Sequence, residues 1–437
     1  MFIPMKRFLI ALLFVAACFG DDRSGLSRAI EQRTGHGLNP QGKPDPKAAP
    51  SLPPGVSLAG PISEDDAAAV ALWNNTALQA ELAQIGLARA DLLEAGLLRN
   101  PNLSLLLPVG AKPFELLLGL PVDALWQRPR RVAAARANFD AVAEALAENG
   151  LNLARDARIA HIDLALAVER LAVAKEREQL LAKIGELTEK RRKAGDASGL
   201  EVTLAQTEAR AAADQAARFS RAVETTRERL RSVLGLRNDA TPLAAAAAGT
   251  TPGAAPEWKE LVEAALSSRP ELRAAELRVD AAARHARLEH SQILALTVQL
   301  SSKEIGERGT LSGPGLGVEL PLFHRRQGAI SRAEAEVERA AWQYLALRDS
   351  IEHQVRRARL ALVEASERLE RIRAELLPAA RQTIRLAEKA YAAGEISYLA
   401  VLESSRRIME FRREEQEAAA DLRRSAAELD RSVGRKL

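Results

Sequence analysis

Few residues in this sequence have the side chains and the spacing that catalysis or metal binding requires. The chain contains a single cysteine and six histidines: His36, His161, His285, His290, His324 and His353. His285 and His290 are five residues apart on a predicted helix, a spacing poorly suited to joint ligation of one metal ion. The sequence has no phosphate-binding loop, nucleophile elbow or HExxH motif. We therefore predict no catalytic residue, no metal site and no cofactor, and interpret the histidines as surface or packing residues.

The covalent chemistry that the sequence does indicate is acylation of Cys18. Lys6 and Arg7 precede an apolar run that ends in Val15-Ala16-Ala17-Cys18. Small residues before a cysteine resemble the lipobox cut by lipoprotein signal peptidase, which predicts a signal peptide over residues 1–18 and a lipid-anchored N-terminus. An ordinary signal peptide with an incidental cysteine is the alternative. Phe19 stands where an aspartate would retain a lipoprotein in the inner membrane, which favours the outer membrane.

The composition favours long helices and excludes a nucleic-acid partner. Hydrophobic residues make up 47% of the 437 residues but aromatic residues only 4%, and alanine and leucine dominate the apolar set. Such a chain is typical of helices packed side by side. Charged residues make up 27%, yet the formal net charge is only +4. Acids and bases are thus interspersed, as on solvated helix faces, and form no basic patch.

The chain is a tandem duplication. The pattern A-G-acid-x-S-x-L-x-V occurs at 194–202 and again at 393–401, an offset of 393 − 194 = 199 residues. Leu120-Pro121-Val122 matches Leu320-Pro321-Leu322, and Arg231-Ser232-Val233 matches Arg431-Ser432-Val433, each at an offset of 200. Three motifs in one order at offsets of 199 to 200 residues identify two copies of a single module. We divide the chain into a proline-rich leader (19–62), a first repeat (63–237), a linker (238–256) and a second repeat (257–437).

Each repeat is predicted to contain a helix, two strands, a very long helix and a last helix. In the first repeat these elements lie at 64–98, 102–108, 114–121, 129–194 and 198–236. In the second they lie at 257–291, 294–303, 314–322, 325–393 and 396–433. The long helices carry apolar residues at every seventh position: Ile159, Leu166, Val173, Leu180 and Leu187, then Val355, Leu362, Leu369 and Leu376. This is coiled-coil spacing, and a soluble coiled-coil rod is the alternative that these helices alone leave open.

The strands favour a membrane pore. Leu296, Val298 and Leu300 alternate with polar residues, which places apolar side chains on one face of the strand. Such alternation is the pattern of an outer-membrane β-barrel, and apart from the signal no apolar run reaches the ~20 residues of a spanning helix. Four strands cannot enclose a channel, whereas three protomers would supply twelve. Pro121 and Pro321 are predicted to end the second strand of each repeat.

Trp126 and Phe323 follow these two prolines. They fit either an aromatic belt at the membrane interface or packing beneath the rim of a barrel.

These features resemble the TolC-like outer-membrane factors, the outer membrane efflux proteins, over residues 64–434. The run Leu320-Pro321-Leu322-Phe323-His324-Arg325-Arg326-Gln327-Gly328-Ala329-Ile330 is similar to one common in CzcC- and NodT-like members, which often have asparagine where this chain has Arg326. The resemblance implies a mostly α-helical homotrimer with a small β part, in which a twelve-stranded transmembrane β-barrel continues into a helical periplasmic tunnel. It also implies an outer-membrane location, a periplasmic adaptor, and an inner-membrane transporter of the resistance-nodulation-division type.

The two helix-to-helix turns are the predicted periplasmic tips and docking sites for the adaptor. The residues concerned are Gly195, Asp196, Ser198 and Leu200 in the first turn, and Gly394, Glu395, Ser397 and Leu399 in the second. The glycines permit the chain reversal, and the acidic and serine side chains can cap the following helix. Capping alone and capping combined with docking are both compatible with the motif.

Glu201 and Glu403 are the aperture candidates, because family members often carry acids at these places near the closed end. A threefold ring of carboxylates in a narrow pore would attract cations. Solvated glutamates on a helix surface are the alternative.

The function predicted from the sequence is that of a passive export duct in a tripartite efflux system. A duct for type I protein secretion and a periplasmic coiled-coil lipoprotein, acting as scaffold or adaptor, remain as alternatives. The sequence does not identify the cargo.

Overall fold

The structure is a computed structural model that describes residues 22–40, 50–107, 114–195, 197–236, 243–246, 256–304, 309–393, 395–396 and 398–437. Helix α1 (Asp22–Thr34) precedes the first repeat. That repeat contains α2 (Glu64–Asn74), α3 (Thr76–Leu82), α4 (Gln84–Gly96), β1 (Asn102–Leu106), β2 (Glu115–Pro121), α5 (Asp123–Lys193) and α6 (Gly199–Val233). The second repeat contains α7 (Trp258–Ser268), α8 (Pro270–Ser291), β3 (Leu296–Glu304), β4 (Thr310–Val318), α9 (Gln327–Arg371), a π-helical turn (Ile372–Leu376), α10 (Leu377–Ala392) and α11 (Tyr398–Val433).

The fold is therefore mostly helical with a small antiparallel sheet, built from a duplicated module, as the sequence predicts. It divides into two compact units. The first comprises Met1–Leu26, Ala80–Glu148 and Pro270–Ser350, and contains all four strands given above. The second comprises Ser27–Gln79, Asn149–Arg269 and Ile351–Leu437, and contains the helix-to-helix turns.

The opening helix of each repeat is interrupted, although the sequence predicts one continuous helix. In the first repeat Asn75 is extended between α2 and α3. Its side-chain oxygen accepts from Leu78 N–H at 3.1 Å, and its Nδ2 donates to Val233 O at 2.9 Å. In the second repeat Arg269 is extended directly before Pro270, the first residue of α8. Proline disfavours the helical conformation of the residue before it and is well placed at a helix start.

The long helices also differ from their predicted bounds, and each contains a proline. Helix α5 begins at Asp123 rather than 129, and Pro129 lies in its second turn, where few carbonyls lose a partner. The long helix of the second repeat is interrupted by the π-helical turn, immediately before Pro378. Leu377 N–H donates to Ile372 O, one residue further back than the acceptor in an α-helix. Pro378, the next residue, has no N–H and cannot donate to Ala374 O.

The four strands form one antiparallel sheet in the order β1-β2-β3-β4, so the β2–β3 pairing joins the two repeats. Strand β4 differs from its predicted position of 314–322, because it begins at Thr310 and ends at Val318. The segment 312–317 carries three glycines and a proline, which give no alternating apolar signal. Beyond the strand, Leu322 N–H donates to Leu320 O at 2.8 Å, a tight turn that stops the ladder.

The core of the second unit is centred on α5. Leu164, which lies off the seven-residue seam, is fully buried with Val70 of α2 and Leu230 of α6. Within the predicted linker, residues 243–246 are also tied to this unit: Ala246 N–H donates to Ile62 O at 2.8 Å, and Ile62 N–H to Ala244 O at 2.9 Å. Leu243 is buried in the same cluster.

The seven-residue seam is buried in part. Val355, Leu362 and Leu369 of α9 are buried, whereas Leu180 and Leu187 of α5 are exposed. Toward the helix-to-helix turn, the α5 seam thus presents apolar side chains that this chain leaves accessible.

Gly235 fixes how α6 ends. Its φ is +68°, and a Cβ built there would lie 2.5 Å from Asn74 O. Only glycine combines this left-handed conformation with so close a backbone approach. The end of α6 and the end of α2 are thereby held together.

A buried ionic cluster around Arg158 ties α5 to α2 and α11 in the second unit. Arg158 is 8% exposed and donates to Asp65 Oδ1 at 3.0 Å and to Asp430 Oδ2 at 3.3 Å. Lys436 Nζ donates to Asp65 Oδ2 at 2.6 Å, and Leu437 N–H donates to Asp430 Oδ1 at 3.1 Å. The ion pairs thus join residues far apart in sequence and hold the C-terminal residues against the helices.

None of the helices within the described ranges combines the length and the apolar content needed to cross a bilayer.

Candidate functional sites: a two-faced sheet and two helical tips

One face of the sheet is apolar over most of its area, with Ser302, Ser312, Glu304 and Thr310 at one end of it. The register places Leu118 of β2 beside Leu103 and Leu300, and Leu300 beside Pro314 of β4. Because side chains alternate along each strand, residues in these cross-strand rows share a face. The apolar residues on this face are Leu103, Leu105, Leu116, Leu118, Leu120, Leu296, Val298, Leu300, Leu316 and Val318. All are exposed or half-buried in this chain.

The opposite face is largely polar. Glu115 and Lys303 are direct cross-strand partners, and their side chains form an ion pair at 2.5 Å. Gln299 lies over the glycines of β4, with its Nε2 3.0 Å from where a Cβ on Gly317 would be. Leu106, Leu117 and Leu311 interrupt this polarity. One face thus suits an apolar environment and the other an aqueous one.

The strand exits differ between the repeats. Pro121 is the last residue of β2, whereas Pro321 lies three residues beyond the end of β4. Trp126 and Phe323 follow them and are 40% and 93% exposed. Exposed rings agree better with an aromatic belt than with packing inside the chain, although the belt itself stays a prediction.

Arg326 adopts a left-handed backbone with φ of 58°, a conformation that few residues other than glycine enter. It forms an ion pair with the buried Glu289, at 2.5 Å from Nη2 to Oε2. The side-chain contact holds the turn that leads into α9.

At the first tip, Gly195 reverses the chain after α5 with φ of +89°. Ser198 then caps α6: Glu201 N–H donates to its Oγ at 3.2 Å, while Ser198 N–H donates to Glu201 Oε2 at 2.8 Å. This is a reciprocal capping box, and it engages the Glu201 carboxylate. Leu200 is 69% exposed beside it. Asp196 lies outside the described residues.

At the second tip, Gly394 and Ser397 lie outside the described residues. Glu395 N–H donates to Ala390 O at 2.8 Å, which closes the end of α10. Leu399 is 62% exposed, like its counterpart Leu200. Glu403 is exposed on α11 and has no ion pair among the described residues. The structure therefore separates the two aperture candidates: the Glu201 carboxylate is held by a cap, and that of Glu403 is available.

His161 is the one histidine of the six that the structure buries. It is 1% exposed, and its Nε2 lies 2.7 Å from Ile62 O, which requires the tautomer with hydrogen on Nε2. Its Nδ1 is buried without a hydrogen-bond partner among the described residues. Burial lowers the pKa of His161, because a second ring proton would find no acceptor.

This burial predicts a loss of stability at acid pH. The unfolded chain takes up a proton near pH ~6.5, while the folded chain resists it, so unfolding is favoured as pH falls below that value. We expect the melting temperature of His161→Gln to fall less than that of the wild type between about pH 7.5 and 5.5. Circular dichroism at both pH values measures this. Parallel decreases in the two proteins would assign the acid sensitivity to other groups.

No group of three or more histidine, cysteine, aspartate or glutamate side chains is arranged to hold a metal ion in the part of the chain that the structure describes.

Known proteins resemble this chain in sequence and in fold. A family model described as Outer membrane efflux protein matches residues 261–435. Residues 261–435, which make up most of the second repeat, are thus similar to the outer membrane efflux proteins. This similarity supports an outer-membrane location.

Two solved structures and one curated relative illustrate how far the similarity extends. The cobalt-zinc-cadmium resistance protein CzcC of Cupriavidus metallidurans is 24% identical over 384 residues, which cover 86% of this chain and 91% of CzcC. CusC, a protein that forms a transmembrane channel, is similar with a TM-score of 0.72 at 18% identity, over 90% of this chain and 99% of CusC. The outer membrane protein VceC of Vibrio cholerae gives 0.69 at 18% identity, over 85% and 96%. The fold is thus shared along nearly the whole length of the two solved structures.

Proposed function

We propose that this protein is the channel component of a tripartite efflux system. It acts as a passive duct that receives substrate from an inner-membrane pump and a periplasmic adaptor and releases it outside the cell. The observation that supports this most directly is the sheet, whose apolar face runs across all four strands while Glu115, Lys303 and Gln299 lie on the other. A small sheet of this kind is stable where lipid covers one face and water the other.

Three copies would complete the duct. Strands β1 and β4 are the edges of the sheet, and each would pair with an edge of a neighbouring copy, so that twelve strands close on themselves. The exposed seam residues Leu180 and Leu187 would be covered in the same assembly. The two tips would meet the adaptor, and the pump would be of the resistance-nodulation-division type. Cys18 would carry the lipid anchor.

The purified protein provides the test of the duct. We expect a trimer that dissociates on heating, requires detergent, and conducts ions in planar bilayers. A monomer that stays in aqueous buffer and gives no conductance would refute the proposal and favour a periplasmic scaffold.

Export in cells tests the cargo. CzcC is named for resistance to cobalt, zinc and cadmium, so these cations are the first candidates. A deletion strain is expected to become sensitive to them and to recover with the wild-type gene. Sensitivity to drugs alone would move the cargo to organic molecules, and loss of a secreted protein would favour a type I secretion duct.

Glu403 is the better candidate for the aperture. In a trimer its free carboxylate would form a threefold ring that attracts cations, whereas that of Glu201 is held by Ser198. We expect Glu403→Ala to lower cation conductance and weaken block by added multivalent cations. Glu201→Ala serves as the matched control, because its main effect is to weaken the cap of α6 by ~1 kcal/mol. Unchanged single-channel behaviour of Glu403→Ala would remove the residue from the gate.

A further inference from the structure

The two tips of this chain carry different charges on otherwise matching helix ends. With the 199-residue offset of the repeats, Glu189 corresponds to Glu388, Lys190 to Lys389, and Gly195 to Gly394. The sequences are Glu189-Lys190-Arg191-Arg192-Lys193-Ala194-Gly195 and Glu388-Lys389-Ala390-Tyr391-Ala392-Ala393-Gly394. Three cations of the first tip are thus replaced by uncharged residues in the second. Residues 189–193 have a formal charge of +3, and residues 388–392 are neutral.

Ending a helix does not require these cations. A positive side chain in the last turn interacts favourably with the helix dipole. In α10, however, Lys389 alone serves that purpose, and the helix still reaches Ala392. The last turn of α5 contains Lys190, Arg191, Arg192 and Lys193. Both helices end before the same A-G-acid turn. The three additional cations of α5 are therefore not needed to end the helix.

The cations of the first tip are on the surface. Residues 190–193 are all exposed. Arg192 Nη2 forms an ion pair with Glu189 at 3.0 Å, and this hydrogen bond lowers the pKa of the Glu189 carboxyl. Residues 189–193 therefore combine one carboxylate with four cations, and their formal charge stays positive.

The exposed leucine, in contrast, is common to both tips. Leu200 and Leu399 occupy equivalent positions and are 69% and 62% exposed. A contact made by both tips would therefore be apolar, and a contact specific to the first tip would be ionic.

We propose that the first tip binds an acidic helical surface of the adaptor, whereas the second tip binds an uncharged one. This inference rests on the proposed function, since it assigns the adaptor to the tips. It goes further in making the two tips of one protomer non-equivalent, with residues 190–193 as the contact that selects for aspartate and glutamate. Anionic lipid is the other class that cations attract, but a shared exposed leucine beside each turn fits a partner that contacts both tips in similar ways.

The experiment uses the full-length channel in detergent and two synthetic helical hairpins as probes. One hairpin carries four glutamates at its end, and the other carries four glutamines. The triple variant R191A/R192Y/K193A gives the first tip the residues of the second. The matched control R210A/R218A/R221A removes the same charge from exposed positions on α6. The reciprocal variant A390R/Y391R/A392K adds the cations to the second tip.

We expect the wild type to bind the glutamate hairpin about tenfold more tightly than the glutamine hairpin at low salt, since a few exposed ion pairs together give a preference of this size. The preference should disappear in ~1 M salt. It should be lost in the tip variant, kept in the α6 control, and restored when the reciprocal substitutions are added to the tip variant.

Two results would overturn the proposal. The tip variant could keep the full preference, or the cations could direct binding to phosphatidylglycerol vesicles with no preference between the hairpins. Channel conductance is measured on the same preparations. Its absence in the wild type would refute the duct itself, and normal conductance without tip selectivity would refute only this inference.

Discussion

Arg158→Met is expected to lower the free energy of unfolding by ~3 kcal/mol. The guanidinium is 8% exposed and bridges Asp65 and Asp430, so its removal leaves two partly buried carboxylates without their shared cation. Methionine retains most of the volume of the arginine stem. The loss therefore reflects charge rather than packing. Denaturant unfolding of the detergent-solubilised protein, followed by circular dichroism, measures it.

The pH dependence of this loss distinguishes a charge effect from a cavity. Burial raises the pKa of Asp430, although the N–H of Leu437 and Arg158 act in the opposite direction. Without Arg158 the pKa rises further, and a protonated carboxyl needs no cation. The difference between Arg158→Met and wild type should consequently be smaller at about pH 5 than at pH 7.5.

Arg218→Met is the matched control for Arg158→Met. Arg218 pairs with Asp214 on the surface of α6, where the two side chains are 75% and 58% exposed. Such pairs contribute ~0–1 kcal/mol, so this variant should unfold close to the wild type. Equal losses in both variants, or a loss in Arg158→Met that does not depend on pH, would show that the buried pairs do not stabilise the fold as proposed.

Patterns of short period made most of this fold predictable. The seven-residue repeats predicted the long helices, and the alternation in Leu296, Val298 and Leu300 predicted β3 to within two residues. The 199-residue offset predicted that each element of the first repeat would recur in the second. Periodicity works here because each helix or strand buries one face along its whole length.

Features that depend on single residues or on distant partners were not predicted. Asn75 interrupts a helix because its side chain bonds to Val233, which is 158 residues away. The Arg158 cluster joins α2, α5 and the C-terminal residues, and no local pattern indicates which of the many charges are buried. Pro378 is visible in the sequence, and it lies just after the π-helical turn that follows α9. The helix nevertheless continues past it as α10.

The candidate sites were predictable to different degrees. The tip motif predicted both turns and the capping role of Ser198, since capping depends on residues three positions apart. Glu201 and Glu403 are not equivalent in the repeat, since the 199-residue offset pairs Glu201 with Ala400, and the capping box adds that only the Glu201 carboxylate is held. The left-handed backbone of Arg326 was not predicted. In the sequence, Arg326 is only a departure from the resembling motif, and nothing there indicates a turn held by an ion pair with Glu289.

Leu300→Arg is expected to prevent most of the protein from reaching its folded, membrane-inserted state. Leu300 lies in the middle of the apolar face, between Leu118 and Pro314. If that face contacts lipid, an arginine there costs about 2–4 kcal/mol near the bilayer midplane, and in a trimer the cost is incurred three times. The fraction that migrates as a heat-modifiable trimer, extracted from outer membranes, measures the effect.

Ser301→Arg is the control that makes this result specific. Ser301 is the next residue of β3 and lies on the opposite face, between Leu117 and Gly313. An arginine there would remain in water, so we expect near-normal assembly and a changed ion selectivity. If Leu300→Arg assembled as well as Ser301→Arg, lipid would not cover the apolar face. If Ser301→Arg alone failed, the two faces would have to be exchanged, with the leucines directed inward.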